Sequence, residues 1–197
     1  LFKRRISKKN GYEFKKIKSI IKKMKVYKTK ISGLLIVKQK NNTDNRGFLR
    51  EIFNKKLLNK NFNFEYSTTS KKNVLRGFHF QTNFQQAKYV NVLKGKILDV
   101  VIDLRKNSKS FGKYFKIILS KKNATGLYIP RGFAHAYYSY DKENIIYYKL
   151  DNFYKPQYEN GIIYNDKILK IKWPNKIKIS KKDSNLKSFQ FFCDNFK

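Results

Sequence analysis

An all-β domain, closed as a sandwich or barrel, is the fold class this sequence predicts, and three observations carry that prediction. Short apolar runs follow one another at fairly even spacing between glycine and asparagine turn signals. No long amphipathic helix pattern interrupts the middle of the chain. With 41% hydrophobic and 16% aromatic residues there is ample material for a packed core, which a disordered polycation would lack. At 197 residues the chain has room for one ordinary domain, or one domain with a tail.

The tail comes first. Residues 1–23 carry ten Lys or Arg against one acid, and Phe14, Ile17, Ile20 and Ile21 would share one face of a short basic helix. The stretch reads as a basic N-terminal extension, solvated and disordered, with the domain spanning 24–197 from Met24 onward. Strands are predicted over 32–39, 46–53, 73–80, 87–94, 96–104, 113–120, 125–130, 133–140 and 144–150. They lie between turn signals at Gly47, Gly95, Asn107-Ser108, Gly112, Gly126 and Gly132, and Lys94-Gly95 reads as a tight hairpin. Residues 166–197, with Trp173-Pro174 and a lysine-rich end, read as short helices and loop.

Charge and composition exclude several classes. Lys and Arg number 46 and Asp and Glu 13, a formal charge of +33, but 39 of the cations are Lys and only 7 are Arg. Lys, Asn, Ile, Phe and Tyr make up 110 of the 197 residues, the set that AT-rich codons favour, so mutational bias accounts for much of the basicity. Nucleic-acid binding is the competing reading, and the scattering of the arginines counts against it. The longest wholly apolar run, Leu34 to Val37, is four residues, too short for a membrane helix. A single Cys193 excludes an internal disulfide framework and a cysteine zinc cluster, and two histidines leave little for a metal site. No cofactor is called for.

Both histidines stand in dense contexts. Along Val74-Leu75-Arg76-Gly77-Phe78-His79-Phe80-Gln81, strict alternation puts Arg76, Phe78 and Phe80 on one face and Gly77, His79 and Gln81 on the other. His135 follows the turn Ile129-Pro130-Arg131-Gly132-Phe133-Ala134. Either histidine can be structural or catalytic on this evidence alone.

Taken together, the motifs are similar to a known family. In order, Asp44-Asn45-Arg46-Gly47-Phe48-Leu49-Arg50-Glu51, the His79 strand, Gln85-Gln86-Ala87-Lys88-Tyr89-Val90 and Gly95 to Arg105 match it. Tyr128 to His135, Tyr148-Lys149, Tyr164-Asn165-Asp166, Trp173-Pro174 and Ser180-Lys181-Lys182-Asp183 continue the series. From about Met24 to Asp183 the chain resembles the dTDP-4-dehydrorhamnose 3,5-epimerases, deoxysugar-nucleotide epimerases. The resemblance implies a jelly-roll, cupin-like double-sheet barrel without a metal, and a homodimer whose N-terminal strands cross to the partner. It implies a cytoplasmic isomerase of rhamnose biosynthesis that inverts C3 and C5 of a nucleoside-diphosphate 4-keto-6-deoxysugar, with no membrane or nucleic-acid partner.

The resemblance also implies roles. His79 is the base, Asp183 the carboxylate that orients it, Tyr148 the acid on the opposite face of the sugar, and Lys88 the cation near the keto oxygen. Arg46, Glu51, Arg76, His135, Glu159 and Lys182 fall at substrate-binding positions. Read without the family, Asp183 is one acid among lysines and Tyr148 a strand aromatic. The chain departs from the family where Phe64-Glu65-Tyr66 replaces a Gln-x-Asn element, and at Ala136 and Tyr137 after His135. A single-carbon epimerase of a related sugar and a non-catalytic basic cupin that binds nucleic acid are the alternative readings.

Overall fold

The computed structural model describes residues 24–196; the expected extension over 1–23 lies outside the described residues. The described strands are β1 (Lys25–Lys28), β2 (Leu35–Lys38), β3 (Asn42–Asp44), β4 (Gly47–Leu49), β5 (Phe64–Lys71), β6 (Leu75–Gln81) and β7 (Lys88–Lys94). They continue with β8 (Lys96–Asp103), β9 (Tyr114–Ser120), β10 (Thr125–Ile129), β11 (Phe133–Ser139), β12 (Glu143–Leu150) and β13 (Glu159–Gly161). Three short helices are α1 (Lys55–Leu58), α2 (Lys181–Ser184) and α3 (Phe189–Asn195). One sheet runs β1-β2-β10-β7-β12-β5 and the other β13-β6-β11-β8-β9, with β3 and β4 forming a separate hairpin. This is the expected double-sheet jelly roll, with the short C-terminal helices in place.

Three apolar layers hold it. Between the sheets, Val90, Val92, Leu127, Ile129 and Ile146 of the first meet Ile97, Val101, Leu119 and Phe133 of the second. The outer face of the second sheet, with Phe78, Phe80, Val100 and Ile102, is covered by Leu169, Ile171, Phe189 and Phe192 from the C-terminal segment. That is why β8 reads as a nearly continuous apolar run: both of its faces are buried. The outer face of the first sheet packs Val37, Tyr89 and Tyr128 against Met24 and Leu58. Each such large side chain contributes about 1.5–3 kcal/mol on burial.

Where the chain differs from expectation, the cause is local. The single strand predicted over 46–53 is instead the tip and second arm of the β3–β4 hairpin, and residues 50–53 carry no strand. Strand β5 carries no strand signal in the sequence because its cavity-side residues include Thr68 and Ser70, which hydrogen-bond the Tyr137 hydroxyl. Strands β1 and β13 and helix α1 are three or four residues long, below the length at which a period shows.

The face assignment on β6 is corrected. His79 pairs with His135 and Arg76 with Tyr137, so three steps on β6 oppose two on β11. This β-bulge returns Arg76 to the His79 side, against strict alternation. Gly77 makes it possible, with φ +109° and no room for a Cβ, which would lie 2.5 Å from the His135 carbonyl oxygen and 2.8 Å from the Ala136 Cα. Gly77→Ala is therefore expected to lower stability by at least about 2 kcal/mol. Urea unfolding checks this, and an unchanged midpoint would show that the bulge does not require glycine.

Candidate active site

The cavity opens between the two sheets at the β6 bulge and has a volume of about 580 Å³. The first sheet supplies Tyr66 and Thr68 from β5, Lys88 from β7 and Tyr148 from β12, while the second supplies Arg76, His79, His135 and Tyr137. Glu159, Lys182 and Asp183 close it from the C-terminal side.

His79 is the centre of the site. Its Nε2 lies 3.1 Å from Asp183 Oδ1 and its Nδ1 3.1 Å from Glu159 Oε1. Burial pulls the imidazole pKa down, but the two carboxylates outweigh burial and the net shift is upward. Asp183 is buried although it is flanked by lysines. It lies in α2, where its N–H bonds the Ser180 hydroxyl that caps the helix, and its Oδ2 accepts the Gly77 N–H at 3.0 Å. Burial would raise its pKa, yet the His79 contact and the Gly77 N–H hold it below the usual carboxylate range. Glu159 is likewise held well below its usual range, chiefly by His79, against the opposing effect of burial and with help from Lys182 and Tyr154.

Opposite these groups stand a neutral acid and a cation. Burial, with the Tyr137 and Tyr66 hydroxyls nearby, keeps Tyr148 protonated far above its ordinary range. Its ring stacks on Tyr66 at 4.8 Å and meets His135 edge to face at 6.1 Å. Burial also pushes Lys88 down to about 8, with Glu159 and Asp99 partly restoring its charge. A buried amine that keeps its proton near neutrality suits stabilisation of a developing oxyanion.

The expected substrate-binding set divides. Arg76, His135, Glu159 and Lys182 line the cavity. Arg76 is oriented by the Ser70 hydroxyl and the Thr69 carbonyl. Arg46 is exposed on the β3–β4 hairpin, paired with Asp44, and Glu51 accepts from Asn54; neither lines the cavity of its own chain. Several residues of the site are assigned no function from the sequence, among them Thr68, Tyr137, Tyr154, Lys178, Asp99 and Tyr66. Asp99, fully buried, accepts from His135 Nε2 at 2.8 Å; its legible signal is an acid amid Ile97, Leu98, Val100 and Val101. Tyr66 gave no such signal.

A jelly roll whose end holds a histidine between carboxylates, a buried tyrosine and a buried lysine is an acid–base enzyme of the isomerase kind. A family profile described as dTDP-4-dehydrorhamnose 3,5-epimerase matches residues 28–190. The enzyme of that name from Methanothermobacter thermautotrophicus is 38% identical over 81% of this chain and 91% of its own. The one from Escherichia coli is 37% identical over 83% and 93%. A dTDP-6-deoxy-D-glucose-3,5-epimerase from Legionella pneumophila, solved with dTDP-4-keto-L-rhamnose, superposes with a TM-score of 0.81 at 36% identity, over 85% of this chain and 94% of that one. The chain belongs to the dTDP-4-dehydrorhamnose 3,5-epimerase family.

The Lys88 environment makes one prediction. Because its lowered pKa leaves the cation dominant only below about pH 8, turnover should fall above that pH. Lys88→Arg, charged throughout, should flatten this alkaline limb. A pH–rate profile checks it, and an unchanged limb in the variant would assign the fall to another group.

Proposed function

We infer that this protein epimerises C3 and C5 of dTDP-4-dehydro-6-deoxy-D-glucose, giving dTDP-4-dehydro-L-rhamnose for rhamnose biosynthesis. The observation that carries the reading is that the base and the acid stand on different sheets: His79 on β6 and Tyr148 on β12 line one cavity. A sugar ring held between the sheets offers one face to each.

The chemistry follows from that placement. A proton alpha to a ketone leaves only if the enolate oxygen is stabilised. Neutral His79 takes the proton, the C–H electron pair moves into the enolate, and Lys88 balances the charge on oxygen. Tyr148, kept protonated by burial, returns a proton to carbon from the opposite side. Asp183 orients His79 and favours the imidazolium that forms. Arg76 on the cavity wall fits a diphosphate oxygen pair, as a guanidinium fork does. Arg46 and Glu51, remote from their own cavity, fit a homodimer in which the hairpin serves the neighbouring copy. Among the described residues no helix is long and apolar enough to cross a membrane; a cytoplasmic setting goes with a nucleotide-sugar substrate.

Proton NMR of the 4-keto sugar nucleotide in D2O tests this. Loss of both the C3 and C5 signals is expected; loss at one carbon only would replace the double epimerase with a single-carbon enzyme. His79→Ala should slow exchange by roughly 100- to 10,000-fold, the usual contribution of a general base. Retention of more than a few per cent of the rate would remove His79 from the role.

A further inference from the structure

The mechanism leaves one carboxylate unused. Asp183 and Glu159 each lie 3.1 Å from a different ring nitrogen of His79. A ring with both nitrogens occupied has none to offer a carbon-bound proton, so one carboxylate has to withdraw before His79 can act as a base.

The two are held differently. Asp183 is 5% exposed, with Oδ2 bound to the Gly77 N–H and its own N–H tied to Ser180. Glu159 opens the three-residue edge strand β13, directly after a 3₁₀ turn over Pro156–Tyr158. Its second oxygen is held at 2.5 Å by Lys182 and at 2.5 Å by Tyr154, both exposed side chains. Both contacts with the ring are close approaches at 3.1 Å, so what separates the two carboxylates is how each is anchored. Glu159 has other partners to fall back on, and Asp183 is fixed in place.

The remaining charges around the ring sharpen the point. Lys88 from β7, Arg76 from β6, and Lys178 and Lys182 from the C-terminal segment are cations that oppose an imidazolium. Asp99 from β8 is engaged by His135 of β11, and the facing tyrosines, Tyr66, Tyr148 and Tyr154, are neutral with their pKa values raised. Without Glu159 the ring would have Asp183 alone against four cations.

We propose that Glu159 is the resting-state partner of the base: it holds His79 as the imidazolium in the empty site and leaves the ring when a sugar nucleotide enters. The ring proton then passes to solvent buffer, no carbon bond forming or breaking in that step, and neutral His79 faces the sugar while Glu159 stays with Lys182, Tyr154 and the incoming hydroxyls. What enters rests on the epimerase reading; the resting state is a property of the free protein. Glu159 is thus a positioning residue that makes the base competent only when the site is filled.

The test is an NMR titration of the two imidazoles in the substrate-free full chain, with His79→Asn used to assign the signals. Glu159→Gln should lower the His79 midpoint by about one pH unit or more, the effect of removing an adjacent opposite charge. The acidic limb of kcat/KM, which reports the free enzyme, should move to lower pH with it. Lys182→Met, which removes the cation competing for Glu159, should move the midpoint the other way. An unchanged His79 midpoint in folded Glu159→Gln, or a downward move in Lys182→Met, overturns the proposal. Failure of the wild-type protein to exchange substrate protons would instead remove the epimerase reading and leave the titration to decide this one.

Discussion

The site depends on one carboxylate with two tasks. Asp183 gives one oxygen to the Gly77 N–H and the other to His79, and so joins α2 to the β6 bulge across more than a hundred residues of chain. The bulge frees that N–H from the strand ladder, and the buried carboxylate satisfies it, as a buried polar group requires. Removing either partner would leave the other unsatisfied in the cavity wall, at a cost of about 1–3 kcal/mol or more for a charged group. The same contact sets the orientation of the imidazole. A single joint thus ties the backbone of the bulge to the imidazole, and the C-terminal segment lines the cavity as well as packing on the second sheet.

Around that joint the interior changes character along the strands. Strand β12 carries Ile146 and Leu150 in the apolar core and Tyr148 between them in the cavity wall. Strand β8 places Asp99 between Ile97 and Val101, where His135 takes it up. Along β8 and β12, inward positions are apolar where the sheets close on each other and polar where they part, with period two kept. The jelly roll thus acts as a frame whose open end carries the titratable groups: burial there shifts Tyr148 and Lys88, while neighbouring groups shift His79, Asp183 and Glu159 against burial.

Most of this frame was legible in the sequence because its central strands are long, apolar and punctuated by glycine. Strands β7 to β12 lie where the periodicity puts them, within a residue or so at their ends. The edge elements were not legible, since β5 is polar on its cavity side and β1 and β13 are too short to show a period. Of the site, His79, Lys88, Tyr148 and Asp183 were named through the family resemblance, and the structure brings all four to one cavity. Their contacts were beyond the sequence: nothing in Ser180-Lys181-Lys182-Asp183 says that its acid is buried, and alternation put Arg76 on the wrong face because a bulge cannot be counted from letters. Arg46 and Glu51 carry the family motif but lie outside their own cavity, which a linear reading cannot detect.

The chain's +33 charge bears on the site in a particular way. Among the described residues, ion pairs such as Arg46–Asp44 and Lys94–Glu143 are exposed and add little to stability. What the surplus does provide is a positive field that draws a diphosphate toward any opening in the surface. Inside the opening the arrangement is different: Glu159 and Asp183 are set among Arg76, Lys88, Lys178 and Lys182, with Asp99 buried behind His135. The two carboxylates beside the ring are what allow a histidine to keep a raised pKa in so basic a protein. Long-range attraction and acid–base tuning are thereby separated, the first left to a surface that tolerates drift toward lysine, the second to a few acids held at fixed positions by the backbone of β6, β8, β13 and α2.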